Sequence, residues 1–395
     1  MLVTLKGCCL FNWIDTFFVL AEILCILHPY KQGSFLMKEK IISGIQQIGI
    51  GIKNVMEAWR WYHDVFGTDI RVFEDNTIAE LMLPYTGGSP QRRHAALAFN
   101  LQGGGGFEIW QYVGRTPKNA EFDIQLGDYG IYAAKVKCKD VAATYERFRT
   151  KNIDVVSKPN PGPDGKQHFF IKDPFGNTFQ IVKGNHWYKD ENKLTGGAYG
   201  AVIGVSDIDN SMRVYSDILG YDRVIYDKEG QFDDLTGIPG GTNHFRRVLL
   251  THSTPRQGGF SPLLGDSKIE LVQAQNRKPQ KIYKDRYWGD PGFMHLCFDI
   301  HGMEALREEC TQKGFDFTVD SHVKHNRENS FDMGEAAGHF SYIEDPDGTL
   351  IEFVETHKVP IIKKLGWYIN LRKRNPRKPL PNWLIKALSF NRVRF

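Results

Sequence analysis

Two patterns of apolar residues follow one another along the chain. Residues 45–52 and 130–138 alternate between apolar and polar or small side chains, and residues 55–66 and 141–151 carry apolar side chains every three to four positions. The first pattern predicts strands and the second predicts amphipathic helices. Gly67 predicts the C-terminal end of the first helix. The order of strand, helix and further short strands therefore occurs more than once.

The same order recurs in the second half of the chain. Residues 60–67 (RWYHDVFG) match residues 213–220 (RVYSDILG), and residues 173–176 (DPFG) match residues 345–348 (DPDG). Self-similarity over such a length indicates duplication. Each half divides again, so the sequence predicts four βαβββ modules and an α+β fold. The glycine-rich runs at 103–106 and 196–197 lack the spacing of a phosphate-binding loop and are interpreted as turns.

The repeat suggests four parts of the chain. We expect an N-terminal extension, two domains of two modules each, with a metal site in the second, and a C-terminal tail. The predicted boundaries are 1–40, 41–190, 191–357 and 358–395.

The first 36 residues differ from the rest. Residues 16–27 are apolar apart from Thr16 and Glu22, which is too short a run to span a bilayer. A secretory signal would need more positive charge before this run and a small-residue cleavage site after it. We therefore expect Met37 to be the native start, with secretion as the alternative.

Composition supports a globular protein rather than a disordered or membrane-spanning one. The 395 residues are 41% hydrophobic and 24% charged, and the length fits two or three domains. The six cysteines form no CxxC pair, which favours reduced thiols and a cytoplasmic location.

The net charge of +4 is unevenly distributed. Residues 358–395 hold eleven Lys and Arg and no acid, so the remainder sums to 4 − 11 = −7. This tail could lie on an anionic membrane or bind nucleic acid. Without a nucleic-acid-binding motif, we expect no nucleic-acid partner. A strap across the acidic body or a second subunit is the favoured interpretation. A membrane role and a homo-oligomer stay open.

The chemistry is expected on two strands. In residues 293–299, alternation places His295, Cys297 and Asp299 on one face. Glu352 lies between apolar neighbours, where an ionised carboxylate needs a partner. We predict that His295 and Glu352 meet on a metal ion.

These features together resemble the vicinal oxygen chelate superfamily, which includes glyoxalase I, methylmalonyl-CoA epimerase, extradiol dioxygenases and bleomycin resistance proteins. The resemblance rests on the four strand-helix starts, the two R-x-Y-x-D-x-x-G helix ends and the two D-P-x-G turns. It implies that two modules curl into one open barrel, giving two barrels, and that ligands come from the first and last strands of a module. The positions implied are Gln47, Glu108, Ala133 and Gln180 in the first half, and Gly200, Glu270, His295 and Glu352 in the second.

The resemblance implies one divalent metal in the second half. Its ligands would be His295, Glu352 and Glu270, a set suited to Zn, Fe, Mn, Co or Ni. Glu270 would also be the catalytic base. His339, on the strand before the D-P-x-G turn, is either a contact to the small-molecule substrate or a surface or core histidine.

Three functions remain as alternatives. The favoured one is isomerase- or lyase-type proton transfer beside a metal-bound carbonyl, as in glyoxalases and epimerases. An Fe(II) extradiol-type dioxygenase is the second, but Gly200 stands where that class has a histidine. A metal-free binding or resistance protein is the third, and His295 with Glu352 argue against it.

Overall fold

The computed structural model describes residues 39–322, 331–332, 337–362 and 367–395. The N-terminal segment and its alternative interpretations fall outside these residues, except for Glu39 and Lys40. Among the described residues, no helix is long and apolar enough to cross a membrane.

The predicted modules are present. Each begins with a long strand, continues into a helix and ends with shorter strands. The first two modules comprise β1 (Ile41–Gly51), α1 (Val55–Phe66), β2 (Ile70–Ala79), β3 (Gln91–Phe99) and β4 (Gly106–Tyr112), then β5 (Gly130–Cys138), α2 (Val141–Thr150), β6 (Asp154–Val155), β7 (Asn160–Pro161), β8 (Gln167–Lys172) and β9 (Thr178–Lys183).

The second half follows the same order. Its modules comprise β10 (Thr195–Gly204), α3 (Ile208–Tyr215), β11 (Arg223–Gly230), β12 (Phe245–Thr251), α4 (Ser261–Leu264) and β13 (Lys268–Ala274), then β14 (Gly292–His301), α5 (Met303–Gln312), β15 (Val319–Asp320), β16 (Phe331–Asp332), β17 (Ala337–Glu344) and β18 (Leu350–Ile362). Strand β19 (Trp367–Asn370) and helix α6 (Asn382–Ala387) belong to the tail.

Local signals explain the helix ends. Helix α1 starts at Asn54, whose side chain accepts from the Glu57 amide, and ends at Gly67 with φ of 72°. These are standard capping arrangements. The prediction of a helix over 55–66 closed by Gly67 is confirmed.

The two curled sheets combine modules from opposite halves of the chain. The ten described strands of the first sheet come from the first and fourth modules, with β19 added, and the nine of the second sheet come from the second and third modules. Strand β1 pairs antiparallel with β14, and β10 pairs antiparallel with β5. The expectation that the two modules of each half, 41–190 and 191–357, close on each other is therefore wrong.

Steric fit at β1 is part of the reason for this pairing. A Cβ atom on Gly49 would lie 2.2 Å from the His295 ring, so only glycine lets β14 lie beside β1 at this point. The glycine-rich runs have a similar role. Gly197 lies within β10, and a Cβ there would meet the Gly105 carbonyl oxygen at 1.8 Å. The interpretation of residues 196–197 as a turn is wrong, because they lie within β10 and let it approach the main chain of residues 103–105.

The tail packs onto the body. Leu380, Leu384 and Ile385 are buried in a cluster with Ile70 and Leu263. Arg392 forms ion pairs with Asp69 and Glu191, the second at 2.7 Å. The described part of the tail therefore straps the acidic body.

Candidate metal centre

One group of potential metal ligands stands out in the described part of the chain. Ligand atoms of Glu108, His295 and Glu352 all lie within 4.8 Å of one another, and the three residues are buried. His295 Nε2 is 3.3 Å from Glu108 Oε2 and 3.1 Å from Glu352 Oε2. We call these residues, with Gln47, the His295 centre.

The centre is built on four neighbouring strands of the first sheet. Gln47 lies on β1, Glu108 on β4, His295 on β14 and Glu352 on β18, and these strands are adjacent in the order β18, β14, β1, β4. Two modules thus each supply a first strand and a last strand. Rigid strands fix the four side chains relative to one another.

Two buried atoms of the centre lack hydrogen-bond partners within the described structure. His295 Nε2 makes no well-directed hydrogen bond despite its short distances to the two carboxylates, and Gln47 Oε1 also has no partner. Gln47 Nε2 donates instead to Glu108 Oε2 at 3.1 Å and to Glu352 Oε2 at 3.3 Å. The two ends of a Gln amide have nearly the same shape, and a flip of the Gln47 amide would aim its oxygen at the same point. Nitrogen and oxygen ligand atoms thus converge on one point, as a divalent cation of borderline softness requires. These residues therefore fit a metal ion.

Charge also favours a cation here. No Lys or Arg of the described residues forms an ion pair with Glu108 or Glu352, so His295 is their only charged partner. Burial disfavours the charged form of His295 and by itself would lower its pKa. The attraction of Glu352 and Glu108 is stronger than this effect, and it raises the pKa of His295 to about 9. Burial likewise opposes charge on Glu352, but His295 lowers the pKa of this carboxyl. Two carboxylates buried together need a cation, and a metal ion would replace the proton.

Aromatic side chains enclose the centre. Trp288 Nε1 lies 3.3 Å from His295 Nδ1, with the two rings nearly parallel. The Tyr342 ring meets the His295 ring edge to face at 5.6 Å. Burial, followed by Glu352 and Glu108, raises the pKa of Tyr342 well above its usual value, so this hydroxyl stays protonated. The ligands therefore lie in a largely dry site.

Glu270 is not part of this centre, which corrects its predicted role as third ligand and base. It lies on β13 in the second sheet, where Lys135 Nζ is 2.6 Å from one oxygen and Arg247 Nη2 is 2.7 Å from the other. Burial opposes ionisation, but Lys135 and Arg247 lower the pKa of Glu270. The carboxylate is already neutralised by protein cations, because modules two and three share this sheet.

His339 also lies away from the centre. Tyr342 is directly opposite Glu352 in the β17–β18 pair, and His339 is three residues earlier, on the other face of the sheet. Its Nε2 contacts Asp320 Oδ1 at 2.8 Å, and its ring stacks on His322. The structure therefore gives no support to the predicted contact between His339 and a substrate at the metal.

The other positions that the family resemblance implied as ligands, Ala133, Gln180 and Gly200, lie in the second sheet and have structural roles there. Gln180 accepts from Lys135, and Ala133 lies two residues before that lysine on β5. Gly200 is a glycine because a Cβ there would meet the Lys268 carbonyl oxygen at 1.7 Å.

Sequence reasoning missed Trp288 and Tyr342 and placed Glu108 in a half without a metal. Trp288 lies in the linker between β13 and β14, outside the helical and strand spacing, so no pattern marks it. The sequence did contain a sign that Glu270 has a cationic partner. Lys135 and Lys137 alternate within an apolar strand and place a cation on the polar face of module two.

Comparison with known proteins agrees with the fold. The model of the glyoxalase/bleomycin resistance protein/dioxygenase superfamily matches residues 44–181 and 200–353. No curated protein sequence matches the chain.

Similar solved structures share little sequence with the chain. A protein named as a candidate dioxygenase from Bacillus subtilis subsp. subtilis str. 168 is 14% identical, with 90% of this chain and 98% of that chain covered and a TM-score of 0.51. Glyoxalase I from Zea mays is 13% identical, with 80% of this chain and 92% of that chain covered and a TM-score of 0.47. A Mn(II)-bound glyoxalase from Novosphingobium aromaticivorans is 14% identical, with 87% of this chain and 89% of that chain covered and a TM-score of 0.27.

The family match spans both halves of the chain, and the four βαβββ modules agree with it. The chain belongs to the glyoxalase/bleomycin resistance protein/dioxygenase superfamily.

Proposed function

We propose that the protein is a metal-dependent enzyme that transfers a proton beside the carbonyl group of a small oxygenated substrate. The observation that carries this proposal is the convergence of Glu108, His295 and Glu352, buried and without another cation among the described residues. One imidazole and two carboxylates, with Gln47 as a fourth group, would hold a single divalent ion. Zn, Fe, Mn, Co and Ni all accept such donors.

A bound divalent ion would act as a Lewis acid that polarises the carbonyl. The donor set differs from the two histidines and one carboxylate suited to O₂ activation at Fe(II). This difference favours proton transfer over the dioxygenase alternative.

Glu108 is the proposed base, in place of Glu270. Glu352 is held by His295, Gln47 and the side chains of Tyr342 and Cys297. Glu108, by contrast, makes polar side-chain contacts within the described residues only to His295 and Gln47. The less restrained carboxylate is better able to take a proton from the carbon beside the carbonyl and return it to the neighbouring carbon. Trp288 and Tyr342 would exclude water during this transfer.

The test follows deuterium uptake from D₂O into α-hydroxy- and α-keto-carbonyl compounds and thioesters, with an oxygen electrode in parallel. Glu108→Gln should lose about two to four orders of magnitude in turnover, the usual worth of a positioned base. Glu270→Gln should keep turnover in protein that circular dichroism shows to be folded.

Two results would count against the proposal. Loss of turnover in folded Glu270→Gln but not in Glu108→Gln would return the base to the second sheet. Oxygen consumption with catechols and no deuterium uptake would favour the dioxygenase.

A further inference from the structure

A cavity of about 380 Å³ lies beside the His295 centre. Its walls include the aromatic side chains of Tyr85, Tyr129, Tyr283, Tyr287, Trp288 and Phe293. A space of this size and lining suits a small planar organic molecule.

Arg286 also lines this cavity and lacks an acidic partner. The residue is only 9% exposed, and no carboxylate of the described residues lies within ion-pair distance of it. Its terminal nitrogens donate to the main-chain oxygens of Ile282 and Pro291, and Nε has no partner. A buried guanidinium whose charge is not balanced favours an anionic ligand.

Two acids also line the cavity, and each already accepts a hydrogen bond from a protein group. Glu344 accepts from the Tyr85 hydroxyl at 2.7 Å, and Asp347 accepts from the Ser206 amide at 2.8 Å. Lys281, at the exposed edge, adds a second positive charge. The cavity therefore combines a fixed positive charge with aromatic walls.

Trp288 connects this cavity to the metal centre. Its indole lines the cavity and contacts His295, while Leu350, another wall residue, is the β18 partner of His295. The Trp288 main chain is held at both ends, by the Tyr85 carbonyl and by the Tyr112 hydroxyl. The Trp288 ring also packs edge to face against Trp110, so this side chain is fixed between the cavity and the metal centre.

We propose that this cavity binds an aromatic carboxylate, with Arg286 holding the carboxylate and the aromatic walls holding the ring. Its role as the substrate pocket rests on the proposed function, but the binding itself requires no metal.

Calorimetric titration of the full chain after chelation tests the proposal with 1-naphthoate as probe. Naphthalene-1-carboxamide keeps the shape without the charge, and acetate keeps the charge without the ring. Naphthoate should bind at least about tenfold more tightly than either, because charged hydrogen bonds and aromatic contacts act together.

Variants separate the two contributions. Arg286→Gln should weaken naphthoate binding by about 10- to 100-fold and leave carboxamide binding unchanged. Arg286→Lys should restore part of the loss, since it keeps the charge but not the fork. Tyr287→Ala should weaken both ligands. Arg223→Gln, on the exposed face of β11, is the matched control.

Several results would overturn the proposal. They are equal affinity for naphthoate and carboxamide, parent-like binding in folded Arg286→Gln, or failure of Tyr287→Ala to weaken naphthoate. Binding that appears only with metal would place the carboxylate on the metal instead. Because His295→Ala should still bind naphthoate, failure of the metal proposal would leave this result intact.

Discussion

The two sheets have similar construction but opposite charge at their centres. The His295 centre holds two carboxylates with an imidazole and an amide. The corresponding part of the second sheet, which we call the Glu270 centre, holds Glu270, Gln180, Lys135 and Arg247. In the first, no cation of the described residues other than His295 pairs with the negative charges. In the second, Lys135 and Arg247 supply the positive charge that balances Glu270.

This difference shows how one duplicated framework can support a candidate metal site and a structural ion network. Tyr226 donates to Glu270 at 2.8 Å, and Arg247 also pairs with Asp234 at 2.8 Å. Asp234 in turn contacts His168 Nε2 at 2.9 Å. A carboxylate with so many donors has no need of a metal ion. We therefore expect metal in the first sheet alone.

The largest effect should come from breaking the Glu270 centre. Arg247→Met leaves Glu270 and Asp234 buried with fewer partners, so unfolding free energy should fall by about 3–5 kcal/mol. Denaturant unfolding measures the change, and metal content should be retained.

The neighbouring Arg246→Met is the matched control. Arg246 pairs with the more exposed Asp209 and Asp227, so its loss should cost no more than about 1 kcal/mol. Equal losses in the two variants would contradict the distinction between buried and surface pairs.

Removing metal should affect only the His295 centre. Ligand binding to the folded state contributes about 2.7 kcal/mol at a free concentration one hundred times Kd. Chelation should therefore lower the melting temperature of the parent. His295→Ala should be insensitive to the same chelator, and a matching shift in that variant would place the metal elsewhere.

A smaller effect should distinguish two glutamines at corresponding positions. Gln47 contacts both carboxylates of the His295 centre, so Gln47→Ala should weaken metal affinity by about 10- to 100-fold. Gln180→Ala, in the Glu270 centre, should leave that affinity unchanged. Competition with a chromophoric chelator measures both. A weaker metal affinity in Gln180→Ala alone would reverse the assignment.

The comparison also explains what the sequence could reveal. Alternation within β14 and the apolar run around Glu352 identified two members of the candidate site, and helical spacing identified α1. By contrast, Glu108 and Glu270 occupy equivalent positions in the repeat, so residue type cannot choose between them. The choice depends on which modules share a sheet, and similar first strands can pair in either arrangement. Trp288 and Arg286 lie in a linker, where only the folded chain shows their neighbours.

Metal analysis of the purified full chain tests the central claim most directly. We predict about one divalent ion per chain in the parent and in folded Glu270→Gln, and none in His295→Ala or Glu352→Ala. The first-sheet site would be contradicted by metal that is kept in His295→Ala and lost in Glu270→Gln.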